Sequence, residues 1–107
     1  MNSTDYVNPY LAKISKFCAK KWNLQVLWKL RTRKKMRYNE MLEAFRGISP
    51  STLSEVLRAL QSEGLVRRIK HGKIPPYKVE YHITQRGLEI IVAISALVKW
   101  VMKNRIA

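Results

Sequence analysis

The chain has 107 residues and a hydrophobic content of 47%, which predicts one folded domain with a modest core and excludes a disordered basic tail. Its 21 lysines and arginines face only 7 acidic residues, so the formal net charge is +14, far beyond what solubility requires. Such an excess indicates a polyanionic partner, for which nucleic acid is the first candidate.

The first predicted helix covers residues 8–20, with Asn8 as its N-cap and Pro9 in the first turn. Three apolar side chains recur on one face at helical spacing, namely Leu11, Ile14 and Phe17. We assign these three residues to a dimer interface, because a small domain with this much apolar surface gains stability by pairing.

Cys18 shares the apolar face of this helix, and we interpret it as a buried, inert thiol rather than a sensor. A single cysteine cannot form an intramolecular disulfide, in agreement with a reducing compartment. The first ten residues are polar and lack a basic segment followed by an apolar one, so we expect no secretory signal and a cytoplasmic location.

A second, more apolar helix begins at Trp22 and carries Leu24, Val26, Leu27 and Leu30. We predict that it ends at the basic run of residues 31–35. This run predicts a loop that can contact phosphates. The contacts assigned to this region are Lys34, Lys35 and Arg37.

Residues 36–38 predict a very short strand, and Asn39 then caps a third helix that ends at Arg46 and Gly47. The next helix has clear boundaries, since Ser49 is a good N-cap, Pro50 fits the first helical position and Gly64 stops the helix. Residues 39–63 therefore have the length of a helix-turn-helix.

The second helix of this motif buries one leucine-rich stripe and turns a short polar face outward. Small hydroxyls with one arginine and one glutamate suit the major groove, where arginine pairs with guanine and glutamate accepts from cytosine. We assign base reading to Ser51, Ser54, Glu55 and Arg58, and backbone contacts to Ser49 and Thr52. On pattern alone, an ordinary solvated helix face is the better explanation of these residues, and it is the net charge that favours DNA.

Two runs, residues 65–69 and 79–83, predict antiparallel strands joined by a basic turn with two prolines. We call this hairpin, residues 65–83, the wing. Its assigned backbone contacts are Arg67, Arg68, Lys70, His71, Lys73 and Lys78.

Thr84 caps the last predicted helix, residues 85–104, which is apolar on more than one side. One side can pack on the domain and the other is left for a partner, which we expect to be a second copy. The assigned interface residues are Ile90, Ile94, Leu97, Val98 and Val101. The uninterrupted apolar run is far shorter than the roughly 20 residues of a membrane span.

Several fragments from Lys21 to about Trp100 resemble the HxlR-type winged-helix transcriptional regulators, a branch close to MarR. These are the Lys-Trp pair at 21–22, Tyr-Asn-Glu-Met at 38–41, Ile-Ser-Pro-Ser-Thr-Leu at 48–53, the Gly-Leu-Val-x-Arg segment ending at 68, and Val-Glu-Tyr-His-Ile-Thr at 79–84. The resemblance implies a mainly α fold with a small β-hairpin, in which residues 22–83 form the winged-helix core. It also implies a dimeric, DNA-binding, cytoplasmic regulator from bacteria or archaea.

The chain departs from the family pattern in two places. The spacing from the proline pair to Val-Glu-Tyr is one residue longer here, through Tyr77 and Lys78, so we expect a different wing tip. Family members that sense oxidants carry a cysteine well upstream of Lys-Trp, whereas Cys18 lies only a few residues before it. Redox sensing is therefore not inferred.

Two functions of different classes remain. One is a sequence-specific regulator of transcription that binds a pseudo-palindromic site on double-stranded DNA. The other is an architectural, chromatin-type protein that coats DNA through charge alone. An anionic membrane is a poorer match, because the basic residues are spread over loops and a hairpin. Neither catalysis nor a cofactor is expected, and His71 and His82 have no neighbours at metal-ligand spacing.

Overall fold

The computed structural model describes residues 3–105, which form five helices and three strands. The helices are α1 (Ser3–Ala19), α2 (Lys21–Arg33), α3 (Tyr38–Ala44), α4 (Pro50–Ser62) and α5 (Gln85–Asn104), and the strands are β1 (Lys35–Met36), β2 (Val66–His71) and β3 (Lys78–Ile83). This is the mainly α, winged-helix arrangement predicted from the sequence.

The core forms where α2 and α4 meet one face of the sheet. Val26, Leu27 and Leu30 of α2 and Leu53 and Leu60 of α4 are fully buried. Their side chains recur every three or four residues, so each helix places them on a single stripe. The core fixes α4 by its leucines and leaves its opposite face in solvent.

The three strands form one antiparallel sheet in the order β1-β3-β2. Tyr81 of β3 is directly opposite Met36 of β1 and Arg68 of β2. Met36 and Tyr81 are buried, so this face of the sheet packs on the helices. The predicted hairpin is thus joined by a third strand, which lies at Lys35–Met36 rather than at 36–38.

The predicted start of α1 at Asn8 is wrong, because the helix begins at Ser3 and Pro9 lies inside it. A proline removes one helical hydrogen bond, and the turns on either side can continue when other contacts support them. Here the rings of Tyr6 and Tyr10 face each other one turn apart, with centroids separated by 6.4 Å.

Two further boundaries differ from prediction. Residues 31–33 are the last turn of α2 rather than part of a loop, and only Lys34, at φ 72°, separates α2 from β1. The third helix is preceded by Arg37 rather than capped by Asn39. The backbone N–H of Arg37 donates to Glu40 Oε1 at 2.8 Å, so a carboxylate in the first turn of the helix satisfies a backbone donor at its start.

The start of α5 is held tightly against the end of α4. Thr84 Oγ1 accepts from the backbone N–H of Gly87 at 3.0 Å and donates to the carbonyl of Gly64 at 2.7 Å. A Cβ at Gly87 would meet the carbonyl oxygen of Leu65 and, at 2.7 Å, Cγ1 of Ile83. This close approach fixes the direction in which α5 leaves the domain.

Within residues 3–105, we find no helix that is both long enough and apolar enough to cross a membrane.

Candidate nucleic-acid interface

Helix α4 presents the polar face that its sequence predicts. Ser49 Oγ accepts from the backbone N–H of Thr52 at 3.1 Å, and Pro50 occupies the first turn. The assigned base-reading residues Ser51, Ser54, Glu55 and Arg58 are all exposed. Neither Glu55 nor Arg58 forms an ion pair within residues 3–105, which leaves both charged groups available to a ligand.

Tyr38 connects this face to the preceding helix and was not predicted as a site residue. Its hydroxyl donates to the carbonyl of Pro50 at 2.8 Å and lies 3.2 Å from Ser54 Oγ. The bond spans α3 and the first turn of α4, so it fixes the angle between the two helices of the motif. No motif in the sequence predicts this bond, because its partners meet only when the two helices pack.

The basic residues of the wing are divided between the two faces of the sheet. Arg67 pairs across the ladder with His82, whereas Arg68 pairs with Tyr81. Since neighbouring residues of a strand point to opposite faces, the two arginines, both assigned to backbone contacts, are not brought together.

The turn of the wing, residues 72–77, begins at Gly72 with φ 99°. It contains both prolines, as predicted, and leaves Ile74 77% exposed at the tip. Lys70 Nζ lies 3.9 Å from the centroid of the Tyr77 ring, a cation–π contact between the two sides of the turn. Lys73 is exposed and Lys78 opens the returning strand.

The outer face of the sheet holds a buried carboxylate that was not predicted as a site residue. Glu80 Oε1 accepts a hydrogen bond from His71 Nε2 at 2.8 Å, and Oε2 lies 3.6 Å from Lys35 Nζ and 3.7 Å from Lys78 Nζ. His82 Nε2 lies 3.5 Å from Oε1 without a hydrogen bond. We call these five residues the Glu80 cluster.

Burial by itself would raise the pKa of Glu80, but its neighbours outweigh that effect. The hydrogen bond from His71 and the charges of Lys35 and Lys78, with His82 beside them, bring the pKa down from its ordinary value of 4.5 to about 2. Glu80 is therefore ionised at neutral pH and holds cations around it. Strand alternation marks Glu80 only as an outward polar residue, so the sequence pattern does not reveal its burial.

The edge of the sheet beside β1 is rich in basic residues that have acidic partners. Arg33 pairs with Glu40 at 3.4 Å, and Lys35 reaches Glu80. Arg37 is exposed at the start of α3, and Lys34 is exposed beside the end of α2. The predicted backbone contacts Lys34, Lys35 and Arg37 thus lie along this edge, with Lys34 at the end of α2, Lys35 in β1 and Arg37 at the start of α3.

Exposed apolar side chains give α1 and α5 each an apolar surface. Four assigned interface residues are exposed, namely Leu11, Ile14, Leu97 and Val101, whereas Phe17, Ile90, Ile94 and Val98 are half-buried. Phe17 and Ile90 already pack against the core of their own domain. Exposed apolar side chains that were not predicted as interface residues extend these surfaces, including Tyr6, Tyr10, Trp100 and Met102.

The predicted burial of Cys18 is wrong, because its side chain is exposed. Helix α1 touches the core mainly through Phe17, whose carbonyl accepts from Asn23 Nδ2 at 3.2 Å, and the adjacent position points to solvent. Among residues 3–105, no group of three histidine, cysteine or acidic side chains is arranged to hold a metal ion.

Comparison with known proteins gives a consistent set of relatives. Residues 17–107 match the family model described as HxlR-like helix-turn-helix. The chain is 37% identical over 82 residues to the HTH-type transcriptional regulator YdzF of Bacillus subtilis strain 168, which covers 77% of this chain and 74% of that protein.

Two solved structures share the fold along most of their length. A MarR-family transcriptional regulator from Enterococcus faecalis V583 superimposes with a TM-score of 0.77 at 28% identity, covering 98% of this chain and 90% of the other. The reduced form of the regulator YodB from Bacillus subtilis gives a TM-score of 0.77 at 25% identity, covering 87% and 89%.

Proposed function

The chain belongs to the HxlR-like helix-turn-helix family of DNA-binding transcriptional regulators, and we propose that it acts as a sequence-specific homodimer on double-stranded DNA. The resemblance inferred from the sequence motifs is thereby confirmed. In the proposed complex, α4 enters the major groove and the wing lies on the backbone or in the minor groove. The whole chain acts as one winged helix-turn-helix domain.

The observation that carries this proposal is the outward face of α4. Arg58 and Glu55 are exposed there without ion pairs within residues 3–105, beside the hydroxyls of Ser51 and Ser54. An unpaired arginine on a helix of this kind suits the N7 and O6 acceptors of guanine. We therefore retain these four residues as base readers.

The proposed backbone contacts surround this helix. Phosphate contacts set the register of a protein on the duplex without specifying sequence, and lysine and arginine commonly make them. The residues assigned to this role are Lys34, Lys35, Arg37, Ser49, Thr52, Arg67, Arg68, Lys70, His71, Lys73 and Lys78.

Pairing of two chains is supported by the apolar surfaces of α1 and α5. Leu97 is 61% exposed and Trp100 52% exposed on α5, and Ile14 is 57% exposed on α1. Exposed apolar surface of this extent is typical of an interface. A symmetric dimer would place two copies of α4 in successive major grooves, about 34 Å apart.

The alternative is an architectural protein that binds every sequence alike, for which the net charge of +14 is sufficient. Glu55 counts against it, because an exposed carboxylate on the docking face weakens indiscriminate attraction to phosphates. The two functions differ in a single measurable property, namely preference among sequences.

Selection of bound duplexes from a random pool at about 0.15 M salt tests the proposal. We expect enrichment of a pseudo-palindromic sequence whose half-sites lie one helical turn apart. A pool that stays random after several rounds, while the protein still binds it, would support the architectural function and contradict ours.

The dimer is tested separately by Leu97→Glu, with Ala96→Glu as the matched control. Ala96 is exposed near Glu89, Lys99 and Lys103 on α5, so the same charge there replaces none of the side chains assigned to the interface. We expect sedimentation to show a dimer for the wild type and for Ala96→Glu. Leu97→Glu should be monomeric and should lose binding to the selected sequence. A wild-type monomer that binds a palindrome tightly would refute the arrangement.

A further inference from the structure

We propose that Glu80 is a positioning residue for DNA recognition: its buried carboxylate holds basic side chains from all three strands on the outer face of the sheet. The inference rests on the proposed function of the wing as a contact to the DNA backbone. A carboxylate on a DNA-contacting face should repel phosphates, so charge alone does not explain why Glu80 lies there. A positioning role does explain it.

The register of the sheet places the partners of Glu80 on one face. Lys35 of β1 is opposite His82, and His71 of β2 is opposite Lys78. Glu80 lies between His82 and Lys78 on β3, and every second residue of a strand shares a face. One carboxylate therefore contacts a side chain from each strand, including the two strands that do not pair with each other.

The exposed fraction of each side chain in the Glu80 cluster decides which groups a ligand contacts first. The side chain of Glu80 is 7% exposed, whereas those of Lys35, His71 and Lys78 are between 50% and 57% exposed. These three basic side chains thus lie nearer to the solvent than the carboxylate does. A phosphate approaching this face meets ammonium and imidazole groups first, and the carboxylate lies beneath them.

The charges do not cancel within the Glu80 cluster. Two lysines face one carboxylate, so the cluster keeps a net charge of about +1 even with both histidines neutral. Glu80 accordingly restrains the cations without neutralising them. Ordering flexible lysine side chains before binding reduces the entropy that the complex must otherwise lose.

Glu80 could position the basic side chains, or it could only repel DNA. The two roles predict different effects on specificity when the carboxylate is removed. A non-specific complex depends on charge and has no fixed register, so removing a carboxylate should strengthen it. In the specific complex α4 fixes the register, and the wing must then meet particular phosphates. Loss of positioning should therefore reduce the ratio of specific to random affinity, whereas loss of repulsion alone leaves that ratio unchanged.

The test compares Glu80→Gln with Glu89→Gln, since both raise the net charge by one and Glu89 is exposed on α5. Each variant is measured on the selected sequence and on random duplex at one salt concentration. We expect both to bind random DNA more tightly to a similar degree. Only Glu80→Gln should lower the ratio of specific to random affinity, by about 3- to 10-fold, the range expected from one or two side chains released from restraint.

A charge-matched variant guards against misfolding and against a purely electrostatic explanation. Glu80→Asp keeps the net charge but shortens the side chain by about 1.5 Å, so the carboxylate cannot reach His71 and both lysines. We expect it to lower the ratio as well. The ¹⁵N resonance of His71 Nε2 should shift in both Glu80 variants and stay in place in Glu89→Gln.

The outcomes separate the two proposals. If the wild type prefers no sequence, the proposed function fails before any variant is compared. If the wild type is specific and both Glu80 variants retain its ratio of specific to random affinity, Glu80 is not a positioning residue.

Discussion

Helix α4 and the wing are proposed to contact the same duplex, yet different forces hold them in place. Leu53 and Leu60 anchor α4 in the core with no exposed area, and the charged groups on its outer face have no ion-pair partners within residues 3–105. The wing packs on the core through Leu65, Val66 and Tyr81, but its outer face and its turn are held by polar contacts, chiefly the Glu80 cluster and the Lys70–Tyr77 pair.

Because of this difference, α4 and the wing should contribute to DNA binding in different ways. Apolar burial responds little to pH and to moderate salt, so α4 forms a rigid support for unpaired side chains that can contact bases. Contacts between charged groups respond to both conditions. Specificity should therefore follow α4, and the wing should supply affinity that varies with solution conditions.

The largest effect is expected from Leu53→Ala, which removes a fully buried side chain beneath α4. It should lower the free energy of unfolding by about 2–5 kcal/mol, since both apolar burial and packing are lost. Urea unfolding at one protein concentration measures this loss. The matched control in the wing is Ile74→Ala, which we expect to change stability by less than about 0.5 kcal/mol. Equal losses for the two variants would remove the contrast in anchoring.

Tyr38→Phe addresses the link between α3 and α4. It deletes the hydroxyl that bonds the carbonyl of Pro50 and contacts Ser54. We expect affinity for the selected sequence to fall by about 0.5–1.5 kcal/mol, the net worth of such a bond, while affinity for random DNA is unchanged. Tyr77→Phe serves as the control because its ring can still contact Lys70. An equal loss on both kinds of DNA would show that Tyr38 does not act through α4.

Lys34→Gly should move stability and DNA affinity in opposite directions. Lys34 has a φ of 72°, which strains any residue with a Cβ and suits glycine. We expect a gain of about 0.5–1 kcal/mol in unfolding free energy, together with weaker binding to all sequences and a salt slope reduced by about one. Lys34→Ala should show the same DNA defect without the gain. Unchanged DNA binding in both would remove Lys34 from the backbone contacts.

The acid titration of Glu80 should be visible in the stability of the protein. Because its folded pKa of about 2 lies below the ordinary value of 4.5, its ionisation stabilises the fold above about pH 5. That contribution is lost as the pH falls from 4.5 towards 2. The stability difference between the wild type and Glu80→Gln should therefore be constant near neutrality and shrink in this range, as measured by urea unfolding. A difference that stays constant down to pH 2 would contradict the lowered pKa of Glu80.

Features encoded locally could be predicted from the sequence. The Ser49 cap, the turn at Gly64 and the leucine spacing fix α4 within a few residues, and the structure confirms each of them. The start of α1 was mispredicted because a proline was taken as a boundary, although tyrosines on either side of it pair. Cys18 was mispredicted because its position on the apolar side of α1 did not show how little of that helix reaches the core.

The contacts that could not be predicted join distant parts of the chain. Glu80 meets Lys35 and His71 only after β3 has paired with both neighbours, and its burial comes from the side chains that cover it. Tyr38 reaches Pro50 only after α3 and α4 pack. Neither contact produces a periodic pattern of apolar residues, so the hydrophobic spacing of the sequence does not predict it.

Recognition by α4 is tested most directly by measuring the ratio of specific to random DNA affinity for Arg58→Ala and Lys73→Ala at one salt concentration. Arg58→Ala should cost about 1–3 kcal/mol on the selected sequence and little on random DNA, so the ratio falls. Lys73→Ala should weaken both alike, leave the ratio unchanged and reduce the salt slope by about one. Equal losses on selected and random DNA for Arg58→Ala would contradict base reading by α4.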